Sequence, residues 1–62
     1  MPETNRRRVA ARLAREGWQL VHGGAHDKYT HLGRPGVTIV VPRHATLSPG
    51  VARSIARSAG WE

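Results

Sequence analysis

The chain has 62 residues, 39% of them apolar, with Trp18, Tyr29 and Trp61 as its aromatics and no Phe, so it builds one small domain whose core rests on Leu, Ile, Val and Ala. The absence of cysteine excludes a disulfide staple, a thiol nucleophile and a cysteine-based zinc site, and no apolar run approaches the roughly 20 residues that cross a bilayer. Nine arginines and Lys28 against Glu3, Glu16, Asp27 and Glu62 leave a net charge of +6, which favours an anionic partner, nucleic acid before an acidic protein or a membrane surface.

Thr4 or Asn5 can cap a first helix over residues 5–16, whose apolar positions Val9, Ala10, Leu13 and Ala14 recur at helical steps before Gly17 ends it. Arg8, Arg12 and Arg15 fall along one exposed stripe of that helix. Arg6, Arg7 and Arg8 crowd its start, where the macrodipole disfavours positive charge. Trp18 to His22 reads as a strand entering a tight turn at Gly23-Gly24, and residues 26–32 return as a second strand. After the turn Gly33-Arg34-Pro35-Gly36, the run Val37 to Val41 is the clearest strand of the chain, stopped by Pro42. Ser48 caps a second helix with Pro49 in its first position. That helix runs to about Ala59 on the apolar face Val51, Ala52, Ile55 and Ala59, and Gly60 stops it.

These elements give an α+β domain over residues 1–62, in the order α-β-β-β-α. Sequential strands pair with their neighbours, so the expected architecture is a three-stranded antiparallel sheet with both helices on one face and the other face open. Met1 to Glu3 and the last residue or two look dispensable. The opening Met1-Pro2-Glu3-Thr4-Asn5 lacks the basic-then-apolar order of a signal peptide, so the expected location is cytoplasmic.

His26 stands at the glycine-loosened bend of Gly23-Gly24-Ala25-His26-Asp27-Lys28-Tyr29, on an arginine-rich chain, where a histidine can move protons near neutral pH. Metal-free RNA cleavage needs three things. A base takes the proton from a ribose 2′-hydroxyl, a cation stabilises the charge on phosphorus, and an acid protonates the leaving oxygen. His26 fits the first role and Lys28 with Arg43 the second, holding phosphate. His44, in Pro42-Arg43-His44, fits the third or contacts substrate. Strand alternation puts His26, Lys28 and Thr30 on one face and Asp27, Tyr29 and His31 on the other, so Asp27 does not orient His26. His22 and His26 are four apart, but Gly23-Gly24 between them makes a turn and neither Cys nor a nearby Glu completes a ligand set, so neither a metal nor a cofactor is expected.

Taken together the residues resemble the HicA family, the small toxin ribonucleases of bacterial HicA-HicB toxin-antitoxin pairs, over nearly the whole chain. The resemblance is carried by Gly17-Trp18, Gly24-Ala25-His26 with Lys28-Tyr29, Pro42-Arg43-His44, Gly50 with Ser54-Ile55, and Ala59-Gly60. It implies a double-stranded-RNA-binding-domain-like fold, metal-independent cleavage of messenger RNA by the histidine at position 26, and neutralisation by a HicB-like antitoxin covering that histidine. One departure stands out: Ala25 takes the place where the family usually carries serine. A non-catalytic RNA-binding module is the alternative on the same basic surface, and an adaptor for an acidic protein is a third reading.

Overall fold

The Asn5 side chain accepts the Arg8 amide at 3.1 Å and so opens the first helix, α1 (Arg6–Arg15). At its far end the Gly17 amide donates to the Ala14 carbonyl at 3.2 Å and the Trp18 amide to the Leu13 carbonyl at 3.0 Å, the paired bonds of a Schellman motif. Gly17 makes that ending possible with φ at +91°, a region that L side chains rarely enter. The second helix, α2 (Pro49–Ala59), repeats the scheme: the Ser48 hydroxyl accepts the Val51 amide at 3.3 Å, and Gly60 and Trp61 donate to the Arg57 and Ala56 carbonyls at 3.2 and 2.7 Å. Each helix therefore closes on a Gly-Trp pair, which turns an indole back onto the helix layer.

Between the helices the computed structural model, which describes residues 2–62, holds β1 (Gln19–Gly23), β2 (His26–Thr30) and β3 (Thr38–Pro42) as one antiparallel sheet in the order β1-β2-β3. The β1–β2 hairpin turns on Gly24-Ala25, with positive φ at Gly24 and not at Ala25, the pattern of a type II′ turn. The register sorts the side chains into two faces. Leu20, Tyr29 and Ile39 form one row toward the helices, and His22, Asp27 and Val41 the next. Both helices cover this face. Val9 and Leu13 from α1 and Ala52, Ile55 and Ala59 from α2 pack with Trp18, Tyr29, Ile39, Val41 and Leu47 in a single core. The opposite face, with the rows Val21–Lys28–Val40 and Gly23–His26–Pro42, has no layer over it.

The α-β-β-β-α order and the one-sided helix layer are those the sequence predicts; several boundaries differ for physical reasons. Trp18 is consumed by the end of α1, so β1 starts at Gln19. The second strand stops at Thr30 rather than residue 32 because His31 has other partners. The Gly33 amide donates to its Nδ1 at 2.9 Å, which leaves the proton on Nε2, and that N–H donates to the Glu16 carbonyl at the end of α1 at 2.8 Å. The ring also meets Trp18 edge-on at 5.1 Å and stands 3.0 Å from where a Cβ on Gly17 would be. Ala14, expected on the apolar face, is exposed.

The termini are not dispensable. Met1 lies outside the described residues, but Glu3 accepts the Asn5 amide at 3.1 Å and pairs with Arg8 at 3.5 Å, holding the N-cap. Trp61 packs against the core, donates from Nε1 to Glu16 at 2.7 Å and lies 4.2 Å beneath the Arg12 guanidinium. The Trp61 hydrogen bond and then Arg12 hold the Glu16 carboxyl below the usual carboxylate range.

Two consequences are measurable. Replacing His31 with alanine leaves the Glu16 carbonyl and the Gly33 amide without their partner and should lower unfolding free energy by about 1–3 kcal/mol in a denaturant titration. Because Glu16 is more acidic folded than unfolded, the tie stabilises above the unfolded value and its contribution fades as pH falls through the folded one. Trp61→Phe should therefore destabilise at neutral pH and flatten the loss of stability across the acidic carboxylate range.

Candidate functional site

His26 is the first residue of β2, directly after the Gly24-Ala25 turn, and its exposed imidazole lies on the uncovered face opposite Gly23 and Pro42. Lys28 follows two residues later on the same face, about 7 Å along the strand. It is flanked across the sheet by Val21 and Val40, which are 47% and 42% exposed. Among the described residues neither His26 nor Lys28 is held in an ion pair. An exposed imidazole and an ammonium in no ion pair thus stand side by side on the uncovered face.

Arg43 is placed differently from Lys28. Ile39 and Val41 point to the helices, and the next residue in that alternation, Arg43, follows them: its Nε donates to Asp27 Oδ1 at 3.0 Å. The carboxylate is 16% exposed and the guanidinium side chain 48%. Asp27 belongs to the helix-side row, so the Arg43 charge lies across the thickness of β2 from His26, and Lys28 is the cation that the fold puts beside the imidazole. His44 follows in the exposed bend that leaves β3, two residues past the Pro42 that faces His26. His22 is cross-strand from Asp27, on the opposite face from His26.

The same end of the molecule collects charge that local sequence does not reveal. The Arg6 amide donates to the Ala45 carbonyl at 3.1 Å, Leu47 donates to Thr4 at 2.7 Å, and Asn5 bridges to Thr46, so the start of α1 lies against the segment that carries Arg43 and His44. Burial raises the Tyr29 hydroxyl above the usual phenol range, with Asp27 adding to the shift and Arg6 opposing it, as follows when both charges face the ring from the helix side.

Charge is distributed unevenly over the rest of the surface. Each of the four acids pairs with an arginine: Glu3 with Arg8, Glu16 with Arg12, Asp27 with Arg43 and Glu62 with Arg53. The six cations left over, Arg6, Arg7, Arg15, Lys28, Arg34 and Arg57, account for the whole net charge of +6. Arg34 among them donates to the Ser58 carbonyl at 3.3 Å, at the negative end of α2. The arginine stripe of α1 borders a hollow of about 350 Å³ shared with Glu3 and Trp61, and none of His26, Lys28, Arg43 or His44 lines it. Two of its three stripe arginines are already paired with glutamates, so this hollow is poorly suited to an anion.

Compared with known families, the chain matches over residues 6–61 a family model described as the HicA toxin of bacterial toxin-antitoxin. The comparison with curated proteins returned no match. No helix among the described residues is long and apolar enough to cross a membrane.

The face assignment has its own check in two adjacent valines. Val40→Thr, on the uncovered side, should change stability by no more than about 0.5 kcal/mol. Val41→Thr, at 1% exposure, should cost about 1–3 kcal/mol by burying a hydroxyl, as read by paired thermal or denaturant melts.

Proposed function

This chain belongs to the HicA toxin family, the toxin side of bacterial toxin-antitoxin pairs, and from that membership we propose that it is a metal-independent messenger RNA endoribonuclease with His26 as its base. The observation that carries the reading is the placement of His26 and Lys28 on one uncovered sheet face, with no acid paired to either.

In this mechanism the neutral His26 imidazole takes the proton from a ribose 2′-hydroxyl. The oxygen attacks the adjacent phosphorus, and the bond to the 5′-oxygen of the next nucleotide breaks, leaving a 2′,3′-cyclic phosphate. Lys28 stands where negative charge builds on the phosphoryl oxygens. His44 gives a proton to the departing oxygen. Arg43, whose Nε is occupied by Asp27, offers its terminal nitrogens to a flanking phosphate at the end of the sheet, and Arg6 and Arg7 extend the cationic track beyond it. The strongly basic surface supports a polyanionic substrate, and the α-β-β-β-α order is compatible with a double-stranded-RNA-binding-domain-like mode of contact.

The partner in this reading is a HicB-like antitoxin that sits on the uncovered face and occludes His26. Val21 and Val40 give such a partner apolar footing on either side of Lys28, and an acidic surface on it would meet the unpaired cations. Messenger RNA places the reaction in the cytoplasm. The second reading, an RNA-binding module without catalysis, is favoured by one feature: Ala25 leaves the turn before His26 without the family's serine hydroxyl.

The test is a gel time course of messenger RNA in EDTA. The parent protein should cut, and His26→Ala should lose about 100-fold or more of the rate while keeping its circular dichroism spectrum and RNA affinity. Ala25→Ser should raise the rate. Cutting by His26→Ala at the parent's rate would overturn the assignment, and intact RNA with folded parent and Ala25→Ser proteins would move the chain to the binding module.

A further inference from the structure

Asp27 has no part in the reaction as described so far, yet it is a largely buried carboxylate one residue from His26. Its observed bond is to Arg43, 16 residues away in sequence. That bond closes the one stretch of the β3–α2 connection that is otherwise unfastened. On the far side of His44, Ala45 accepts the Arg6 amide at 3.1 Å, Thr46 bridges to Asn5, and Leu47 donates to Thr4 and is buried in the core. On the near side, Pro42 is the last residue of the ladder, opposite His26. Between these lie Arg43 and His44, both exposed.

The direction of the clasp matters as much as its presence. By drawing Arg43 to the helix side of β2, Asp27 fixes the chain direction at the exit of β3, immediately beside the residue that faces His26. Facing Cα atoms of paired strands are about 5 Å apart, so a turn fastened at Arg43 and at Ala45 holds the His44 imidazole within a residue or two of His26. Loosened at Arg43, the same turn has one fastened side and swings.

We propose that Asp27 is a positioning residue: through its ion pair with Arg43 it fixes the Pro42-Arg43-His44 turn and so sets the distance between the His44 and His26 imidazoles. This rests on the ribonuclease reading, and it assigns Asp27 to the placement of a proton donor and not to the tuning of His26. A proton donor displaced by about 1 Å lowers the chemical step far more than the binding step.

The test compares the full-length parent with Asp27→Asn, Asp27→Glu and Arg43→Gln in the RNA cleavage assay, with amide hydrogen exchange on the same proteins. Asp27→Asn should lower kcat by tenfold or more with KM within twofold, and Asp27→Glu should recover most of that loss. Arg43→Gln should match the fall in kcat and also raise KM. The double variant should be no slower than Arg43→Gln, because both changes open one clasp. In Asp27→Asn the Arg6, Leu47 and Tyr29 amides should keep the parent's protection, which certifies that the fold and the fastened side of the turn are intact.

Equal kcat in Asp27→Asn and parent, an effect confined to KM, or lost protection at Arg6, Leu47 and Tyr29 would each overturn the positioning role. A folded parent that leaves RNA intact overturns the reaction, and the role with it. A parent that cuts while Asp27→Asn cuts equally well overturns the role alone.

Discussion

A sheet of three five-residue strands has two faces to satisfy, and this chain has apolar cover for one. Val9 and Leu13 of α1 and Ala52, Ile55 and Ala59 of α2 all go to the same side, where Tyr29, Ile39 and Val41 receive them. A domain of this size buries a smaller share of its surface than a larger one does, so splitting the helices between the faces would leave two half-cores, neither excluding water. The constraint sets which strand residues stay in the open as well as which are packed. With β2 and β3 packed on the helix side, His26 and Lys28 stand in the open rows on the other side.

Charge is divided too, between paired and unpaired cations. Five of the nine arginines have an acid or a carbonyl: Arg8, Arg12, Arg43 and Arg53 a carboxylate, Arg34 the end of α2. Most of these pairs are solvent-exposed and individually weak. Their larger effect is to cancel charge where the termini and α1 come together, so that uncancelled charge stands at Lys28, at Arg6 and Arg7 in the start of α1, and at Arg15 and Arg57 in the last turns of the two helices. A helix whose first turn carries Arg6, Arg7 and Arg8 with no acid of its own gives up favourable macrodipole energy. Glu3 returns part of it from outside the helix by binding both the Asn5 amide and Arg8.

Local rules in the sequence were enough for the elements, their order and the face of each β2 residue, because capping residues, glycines and strand alternation act over a few positions. Asn5, Ser48, Gly17 and Gly60 do in the structure what their types predict. Alternation also placed His26 and Lys28 together and Asp27 apart from them. What escaped was long-range. The bonds of His31 to Glu16 and Gly33 end β2 early, Trp61 joins α1 by an indole, and Arg43 is captured by Asp27. The last of these was half legible, since continuing the alternation of Ile39 and Val41 puts residue 43 on the helix side. The proximity of Arg6 to the segment after β3 left no trace in the sequence, as it depends on how two distant turns meet.

Pro42 faces His26 and is also the end of an edge strand. β3 is apolar on both sides, with Ile39 and Val41 inward and Val40 outward, and nothing in the sheet pairs with its outer border. Such a border invites another copy of the same strand to add to it. Proline removes one donor and fixes φ where that addition would have to continue past β3 toward the histidines. The residue therefore shortens the template for self-association while keeping the His26 end of the sheet clear, and the net charge of +6 opposes the approach of a second copy along the rest of it.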